Sequence, residues 1–227
     1  GYESVVQVAR SVCPGGLGGW VSFVKGPLLA PLELTYGVKE RTDASGEISV
    51  QLDEDHLKEQ LNDLKAKGEV EALTISFVNS YINNENEVKA AKIAAEIFTD
   101  IPISISSEVI PEMQEYERAE TTVLNSYVRP QVSNYVNNLQ ASLEKSLGND
   151  IQLSILRSDG GLASSRATGD SPVNHLMSGP AGGVAGAIHF CNQAGYDNIL
   201  TFDMGGTSTD VALIQNSRAK VRRETLV

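Results

Sequence analysis

The stretch Thr201-Phe202-Asp203-Met204-Gly205-Gly206-Thr207-Ser208-Thr209-Asp210-Val211-Ala212-Leu213-Ile214 decides the reading of this chain. An apolar strand runs into Asp203, a Gly-Gly-Thr-Ser-Thr turn follows, and a second apolar strand leaves it. Gly205 and Gly206 let the backbone come within hydrogen-bond distance of an anion with no Cβ in the way. Thr207, Ser208 and Thr209 add hydroxyl donors, and consecutive turn amides form an anion-binding concavity. Asp203, at the strand end, suits a hydrated Mg²⁺, which favours oxygen ligands and keeps several waters. A Gly-Gly turn by itself reads as an ordinary hairpin. The full Asp-x-Gly-Gly-Thr-x-Thr-Asp arrangement between two strands favours a phosphate cradle.

Working back from the hairpin, the short loop Gln193 to Asn198 follows a small-residue helix. That helix opens at Ser178-Gly179-Pro180-Ala181-Gly182-Gly183, with Pro180 suited to its first position. Ile151 to Leu156 predicts a strand that runs into the loop Arg157-Ser158-Asp159-Gly160-Gly161, the end of a strand where α/β sheets tend to bind ligands. Glu115 to Leu147 predicts helix, divided by Pro130. Its second half places Val132, Val136, Leu139, Leu143 and Leu147, with Tyr135 near them, on a core stripe. Strands are expected at Leu32 to Val38, Glu71 to Val78 and Ile101 to Ser107. Helices are expected at Asp53 to Lys67, capped by Asp53 and ended by Gly68, and at Glu85 to Phe98. Leu57, Leu61 and Leu64 form the inward stripe of the first; Val88, Ala91, Ile93 and Ala95 form that of the second. Val5 to Val12 reads as a helix end and Pro14 to Gly19 as a loop. This alternation of β and α predicts a mixed, mostly parallel sheet with packed helices, an α/β fold.

The chain has 227 residues and a formal net charge of −11, which argues against nucleic acid or an anionic membrane as partner. Arg218, Lys220, Arg222 and Arg223 form one basic cluster, read as a solvated turn and strand edge or as a phosphate-steering patch. Cys13 and Cys191 lie far apart and outside any ligand spacing, as expected of free thiols in a reducing compartment. His56, His175 and His189 likewise fall in no metal-ligand spacing. No run approaches the length of a membrane helix, and the start carries no signal-peptide pattern. A soluble cytoplasmic protein is expected. The chain begins Gly1-Tyr2-Glu3 without an initiator Met, as a processed or excised piece would.

Several blocks together carry a resemblance. They are Ser106 to Glu112, Glu115-Tyr116-Glu117-Arg118, Thr121 to Val128, Ser158 to Leu162, Ser178 to Gly183 and Thr201 to Ile214. In order and spacing these resemble the hydantoinase A/5-oxoprolinase family, which includes N-methylhydantoinases and nucleotide-binding subunits of acetone-type carboxylases. Gly1 to Val5 and Phe77 to Tyr81 extend the resemblance more loosely over the first half. It implies an actin/Hsp70/sugar-kinase architecture, with ribonuclease-H-like lobes and ATP between them. It implies that residues 1–118 are part of the family's N-terminal region. Residues 119–227 would begin its main domain, with the first hairpin of a second lobe at 199–214. The helix at Ala181 to Cys191 would connect the lobes.

The resemblance further implies ATP and Mg²⁺ as cofactors and a small cyclic amide as substrate. ATP would phosphorylate the amide oxygen and leave the ring carbon open to water. Gly205, Gly206, Thr207, Ser208 and Thr209 would hold phosphate, Asp203 would bind Mg²⁺ or orient water, and Asp210 would support the loop. Glu115, Glu117, Arg118 and Asp159 sit in family blocks and are either substrate-facing or ordinary ion pairs at a solvated surface. Family members carry a further Asp-x-Gly-Gly-Thr hairpin, which residues 1–200 do not contain. Another chain supplying the missing lobe is therefore expected for activity. The alternatives are the nucleotide-binding subunit of an acetone-type carboxylase and a non-catalytic interaction module. No Gly-x-Ser-x-Gly, Walker or His-Glu-x-x-His motif supports another enzyme class.

Overall fold

The computed structural model describes residues 2–4, 30–68, 70–148, 150–206 and 208–220. Val5 to Val12, Pro14 to Gly19, Cys13, Thr207, Arg222 and Arg223, for which the sequence carries expectations, lie outside the described residues. The chain divides into two compact units, Gly1–Gln131 and Val132–Val227.

In the first unit, β1 (Arg41–Thr42) and β2 (Ile48–Val50) form an antiparallel pair, and β3 (Leu73–Ile75) and β4 (Ile103–Ile105) a parallel one. Two helices, α1 (Glu54–Lys67) and α2 (Glu85–Ile97), pack with the β3–β4 pair around Leu52, Leu57, Leu61, Leu64, Ile75, Ala90, Ile93, Ala94, Phe98 and Ile105. The limits of α1 follow its sequence signals. Asp53 Oδ1 accepts from the His56 N–H at 3.2 Å, and Gly68 closes the helix in the left-handed region at φ 74°. Glu54 and Asp55 in its first turn and Lys65 and Lys67 in its last complement the helix dipole. In α2 the inward stripe is Ala90, Ile93 and Ala94, with Val88 and Ala91 half-buried, whereas Ala95 is exposed.

Three expectations change here. Leu32 to Val38 is not a strand: Leu32–Leu34 is a 3₁₀ turn. The Pro31 carbonyl accepts from Leu34 N–H at 3.0 Å and from Thr35 Oγ1 at 2.9 Å, which closes the turn locally. The predicted strand to Ser107 stops at Ile105, where a short helix α3 (Ser106–Val109) begins. Pro130 does not divide the helical region, because α4 runs unbroken from Glu115 to Leu147. Its first half is clamped to the sheet by side-chain hydrogen bonds. Asn125 Nδ2 donates to Ser104 Oγ (3.1 Å), Thr74 Oγ1 to Ser126 Oγ (2.6 Å) and Arg129 Nη1 to the Ile103 carbonyl (2.6 Å). These bonds, about 1 kcal/mol each and more for the charged Arg129, offset the roughly 3 kcal/mol that a mid-helix proline costs.

In the second unit, β5 (Ser154–Leu156) and β6 (Leu162–Ser164) form a hairpin that feeds α5 (Ser165–Asp170), capped by Ser164 Oγ on the Ala167 N–H. The end of α4 joins this unit through Val136, which is buried, and through Ser133 Oγ, which donates to the Gly169 carbonyl at 2.7 Å. Val132, Leu139 and Leu143 are half-buried, but Tyr135 and Leu147 of the expected core stripe are exposed. A longer helix, α6 (Ser178–Gln193), precedes the antiparallel sheet β7 (Ile199–Met204), β8 (Thr209–Gln215) and β9 (Arg218–Ala219). Pro180 stands at the third position of α6 rather than the first, still within the turn whose N–H groups need no helical partner. The fold is mixed α/β, as expected. Its sheets, however, are small, and among the described residues only β3–β4 is parallel.

Candidate functional site

The hairpin forms where the sequence places it. β7 and β8 pair antiparallel with Thr201 opposite Ala212, Phe202 opposite Val211, Asp203 opposite Asp210 and Met204 opposite Thr209. The Gly205 N–H donates to the Ser208 carbonyl at 2.9 Å, which closes the turn. Gly205, Gly206, Ser208 and Thr209 are exposed, as is Asp203, and Asp210 is half-buried. The turn therefore presents its backbone to solvent, as an anion cradle must.

Two carboxylates directly opposite each other on one face repel, and the register puts Asp203 and Asp210 in that relation. Among the described residues neither is joined to a basic side chain in an ion pair. A divalent cation would relieve the repulsion. Among the described residues no group of three or more His, Cys, Asp and Glu side chains could hold a metal ion. A cation here would consequently rely on water and phosphate oxygens, the habit of Mg²⁺.

The small residues of α6 make room for this arrangement. A methyl group built on Gly183 would stand 3.4 Å from Asp203 Oδ2, and one on Gly182 would lie 2.7 Å from Leu156 Cδ2. Nearby in sequence to Leu156, the Arg157–Gly161 loop is internally braced. Asp159 Oδ1 accepts from the Gly161 N–H and Oδ2 pairs with Arg157 Nη2, both at 2.9 Å. The Gly161 N–H, with Arg157 second, lowers the Asp159 carboxyl below its ordinary range. The Ser158 Oγ accepts from the Met177 N–H at 2.9 Å, which ties this loop to the start of α6. Of the basic cluster, Arg218 and Lys220 are exposed.

A second constellation lies in the first unit, at the C-terminal ends of the parallel strands β3 and β4. Arg118 is not at a solvated helix start; it is buried. Its Nε donates to Ser106 Oγ (3.1 Å), Nη1 to the Glu112 carbonyl and Nη2 to the Phe77 carbonyl (both 2.9 Å). Nη2 also pairs with Glu115, and the guanidinium lies 5.3 Å from the centre of the Tyr81 ring. Glu115 Oε1 accepts from the Asn79 N–H at 3.2 Å. Glu87, fully buried, accepts at Oε1 from the Phe77 N–H (2.7 Å) and Ser106 Oγ (2.6 Å), and at Oε2 from the Ser107 N–H (2.9 Å). Beside them buried Asn86 donates to Glu40 Oε2 at 2.9 Å. Burial raises the Glu40 carboxyl above its ordinary range, partly offset by that hydrogen bond.

Sequence reasoning passed over Glu87. Its spacing of three and seven residues to Ala90 and Ala94 was the signal, since it puts a carboxylate on the buried face of α2. The first unit also holds a cavity of about 880 Å³, walled by residues that include Leu57, Leu61, Leu73, Phe77 and Val123. The histidines serve locally: His175 Nδ1 lies 2.9 Å from the Leu156 carbonyl and His189 Nε2 3.0 Å from Gln193 Nε2. Among the described residues no helix is long and apolar enough to cross a membrane.

The Hydantoinase/oxoprolinase family model matches residues 118–227, and the model of the Hydantoinase/oxoprolinase N-terminal region matches residues 22–98. The chain belongs to the hydantoinase/oxoprolinase family. An uncharacterised protein of Methanocaldococcus jannaschii is 33% identical over 99% of this chain and 32% of its own length. Caprolactamase subunit alpha of Pseudomonas jessenii is 30% identical over 87% of this chain and 28% of its own. The crystal structure of that ATP-dependent caprolactamase superposes with a TM-score of 0.79 at 29% identity, over 94% of this chain and 30% of that one. A nucleotide-free structure of acetone carboxylase, from work on ATP-dependent acetone carboxylation, gives 0.84 at 31% identity, over 96% and 31%. The chain thus spans about a third of the length of these relatives.

Proposed function

We propose that this chain contributes a phosphate-binding hairpin to the ATP-dependent hydrolysis of a cyclic amide of hydantoin or 5-oxoproline type. The observation that carries the reading is the facing pair Asp203 and Asp210 beside an exposed Gly-Gly turn. That donor set fits a hydrated Mg²⁺ with a phosphate above it. Gly206, Thr207, Ser208 and Thr209 hold phosphate through backbone N–H groups and hydroxyls, and Gly205, whose own N–H closes the turn on the Ser208 carbonyl, lets the phosphate approach with no Cβ in the way. Asp203 holds Mg²⁺ through water or orients water, and Asp210 supports the loop. When bound, Mg-ATP supplies the phosphoryl group that turns an amide oxygen into a leaving group. The chain's own part is position and charge stabilisation.

The names of the relatives support ATP dependence and a lactam substrate, since the caprolactamase is described as ATP-dependent. A second reading, the nucleotide-binding subunit of an acetone-type carboxylase, rests on the superposition with acetone carboxylase. Both readings share the hairpin and the nucleotide. Both also invoke a partner chain, because the caprolactamase relative is one subunit of its enzyme. The same reading gives the protein ribonuclease-H-like lobes, a domain division at 118/119 and a cytoplasmic setting.

Titration calorimetry with Mg-ATP tests it. Binding that Asp203→Ala abolishes, with the melting temperature not lowered, supports the nucleotide role. No heat at millimolar nucleotide with the isolated chain, and none with a relative's partner subunit added, sinks it and leaves a non-catalytic interaction module. Release of phosphate only with a cyclic amide, or only with a ketone and bicarbonate, separates the two readings.

A further inference from the structure

Three asparagine amides grip the β1–β2 ribbon and the residue that leads into it. Asn79 Nδ2 donates to the Thr42 carbonyl, Asn83 Nδ2 to the Gly46 carbonyl and Asn86 Nδ2 to Glu40 Oε2, each at 2.9 Å. Two of these acceptors are backbone carbonyls, which do not titrate; the third is a carboxyl. Asn86 is 1% exposed, and its Oδ1 is buried with no hydrogen-bond partner among the described residues. A buried amide oxygen left without a donor is costly and calls for an explanation. Turning the amide over gives no relief. It would set the oxygen against a carboxylate, which can only accept, and strand the NH₂ instead. A protonated Glu40 removes the conflict, because a carboxylic acid both donates and accepts. Its carbonyl oxygen accepts from Asn86 Nδ2 and its hydroxyl donates to Oδ1, so acid and amide close a ring of two hydrogen bonds. The last torsion of a glutamate is soft, so the second oxygen turns toward Oδ1 at little cost.

We propose that Glu40 and Asn86 form a proton-operated latch between the β1–β2 ribbon and α2. A proton taken from solvent onto Glu40 closes the second hydrogen bond; its loss leaves one bond and a stranded oxygen. The groups around Glu40 favour the proton. Burial raises its carboxyl most, the Asn86 N–H and Arg41 pull the other way, and Glu87 of α2 and Glu115 of α4 add to the rise. A carboxyl held above its ordinary 4.5 contributes stability that is complete below that pH and lost as pH rises through the raised value. The ribbon is therefore held most firmly in acid, while Asn79 and Asn83 keep their grip at any pH. Glu40 also stands with Arg41 and Glu115 in the wall of the cavity in the first unit, so the same proton sets the charge of that wall.

Nucleotide binding plays no part in this inference, so its test reads protonation and stability alone. In the 227-residue chain, NMR follows the Glu40 carboxyl carbon and the Asn86 side-chain amide against pH. The carboxyl should titrate with a midpoint above 4.5, and the Asn86 amide resonances should move with that same midpoint. Glu40→Gln supplies the second arm, because a glutamine amide copies the protonated acid. Its oxygen accepts from Asn86 Nδ2 and its NH₂ donates to Oδ1. This variant should match the wild-type Tm in acid. Above the midpoint it should melt about 2–4 °C higher than the wild type, the shift of one ordinary hydrogen bond in a chain of this size. A Glu40 midpoint at or below 4.5 overturns the latch. Asn86 resonances that ignore the midpoint would leave the amide oxygen to a trapped water and overturn it equally. A Glu40→Gln chain less stable than the wild type above the midpoint would make the charged single bond the stronger arrangement, and the latch falls on that result too.

Discussion

Glu87→Gln separates a buried carboxylate network from ordinary packing, because the change keeps the shape and alters only charge and hydrogen bonding. Glu87 takes three donors: Phe77 N–H and Ser106 Oγ at one oxygen, Ser107 N–H at the other. A hydrogen bond to a charged group is worth about 1.5–3 kcal/mol and a neutral one about 1. Glutamine keeps two acceptances at reduced strength and sets an NH₂ against the third donor, leaving a buried N–H unpaired. It also weakens the acceptor of the Ser106 hydroxyl, to which buried Arg118 donates. Summed over three weakened or lost bonds to a charged group, the loss is about 3 kcal/mol. The assay is urea denaturation followed by circular dichroism, with Glu85→Gln as control on the same helix. Glu85 is exposed and, among the described residues, pairs only with Lys89, so its loss costs less than ~0.5 kcal/mol. A Glu87→Gln cost under ~1 kcal/mol, or one equal to the control, would refute the reasoning.

Further outcomes follow from other features. Asp53→Ala removes the cap on the His56 N–H and should cost about 1 kcal/mol in the same denaturation, with Asp53→Asn nearly neutral. Glu40 holds its proton more tightly folded than unfolded, so stability falls as pH rises from the ordinary 4.5 through its raised value. Glu40→Gln should flatten that part of the Tm-against-pH curve, and a parallel curve would exclude Glu40 as the cause. Asp203→Asn relieves the repulsion with Asp210 and should stabilise the hairpin by roughly 0.2–1 kcal/mol in chelator. Added Mg²⁺ should raise the Tm of the wild type and not of the variant.

Local signals carried most of the fold. Asp53, Gly68 and the Leu57–Leu61–Leu64 stripe marked α1 to its ends, and the Gly-Gly turn marked β7 and β8. Long-range pairing was less legible. Strands as short as Ser154–Leu156 and Leu162–Ser164 carry too few residues to announce a partner or its direction, and a parallel sheet was expected where antiparallel hairpins formed. The hairpin of the candidate site was legible because glycines and a carboxylate at a strand end are local features. The Glu87–Arg118 network was not, because it joins α2, α3, α4 and the loop after β3, and only the fold brings these together.

The seam beneath α4 bears on how that helix is held in place. An apolar stripe tolerates sliding and rotation, since dispersion contacts exchange for similar ones a step away. Arg118, Asn125, Ser126 and Arg129 leave no such freedom, because their partners are specific atoms of β3, β4 and the segments that follow them, the start of α3 included. A shift of one residue would break all of those bonds at once and bury the orphaned groups. α4 therefore works as a keyed shaft, indexed to a single angular and axial setting. The loops at Phe77 and Glu112 and the first residue of α3, Ser106, all fastened to it, inherit that setting.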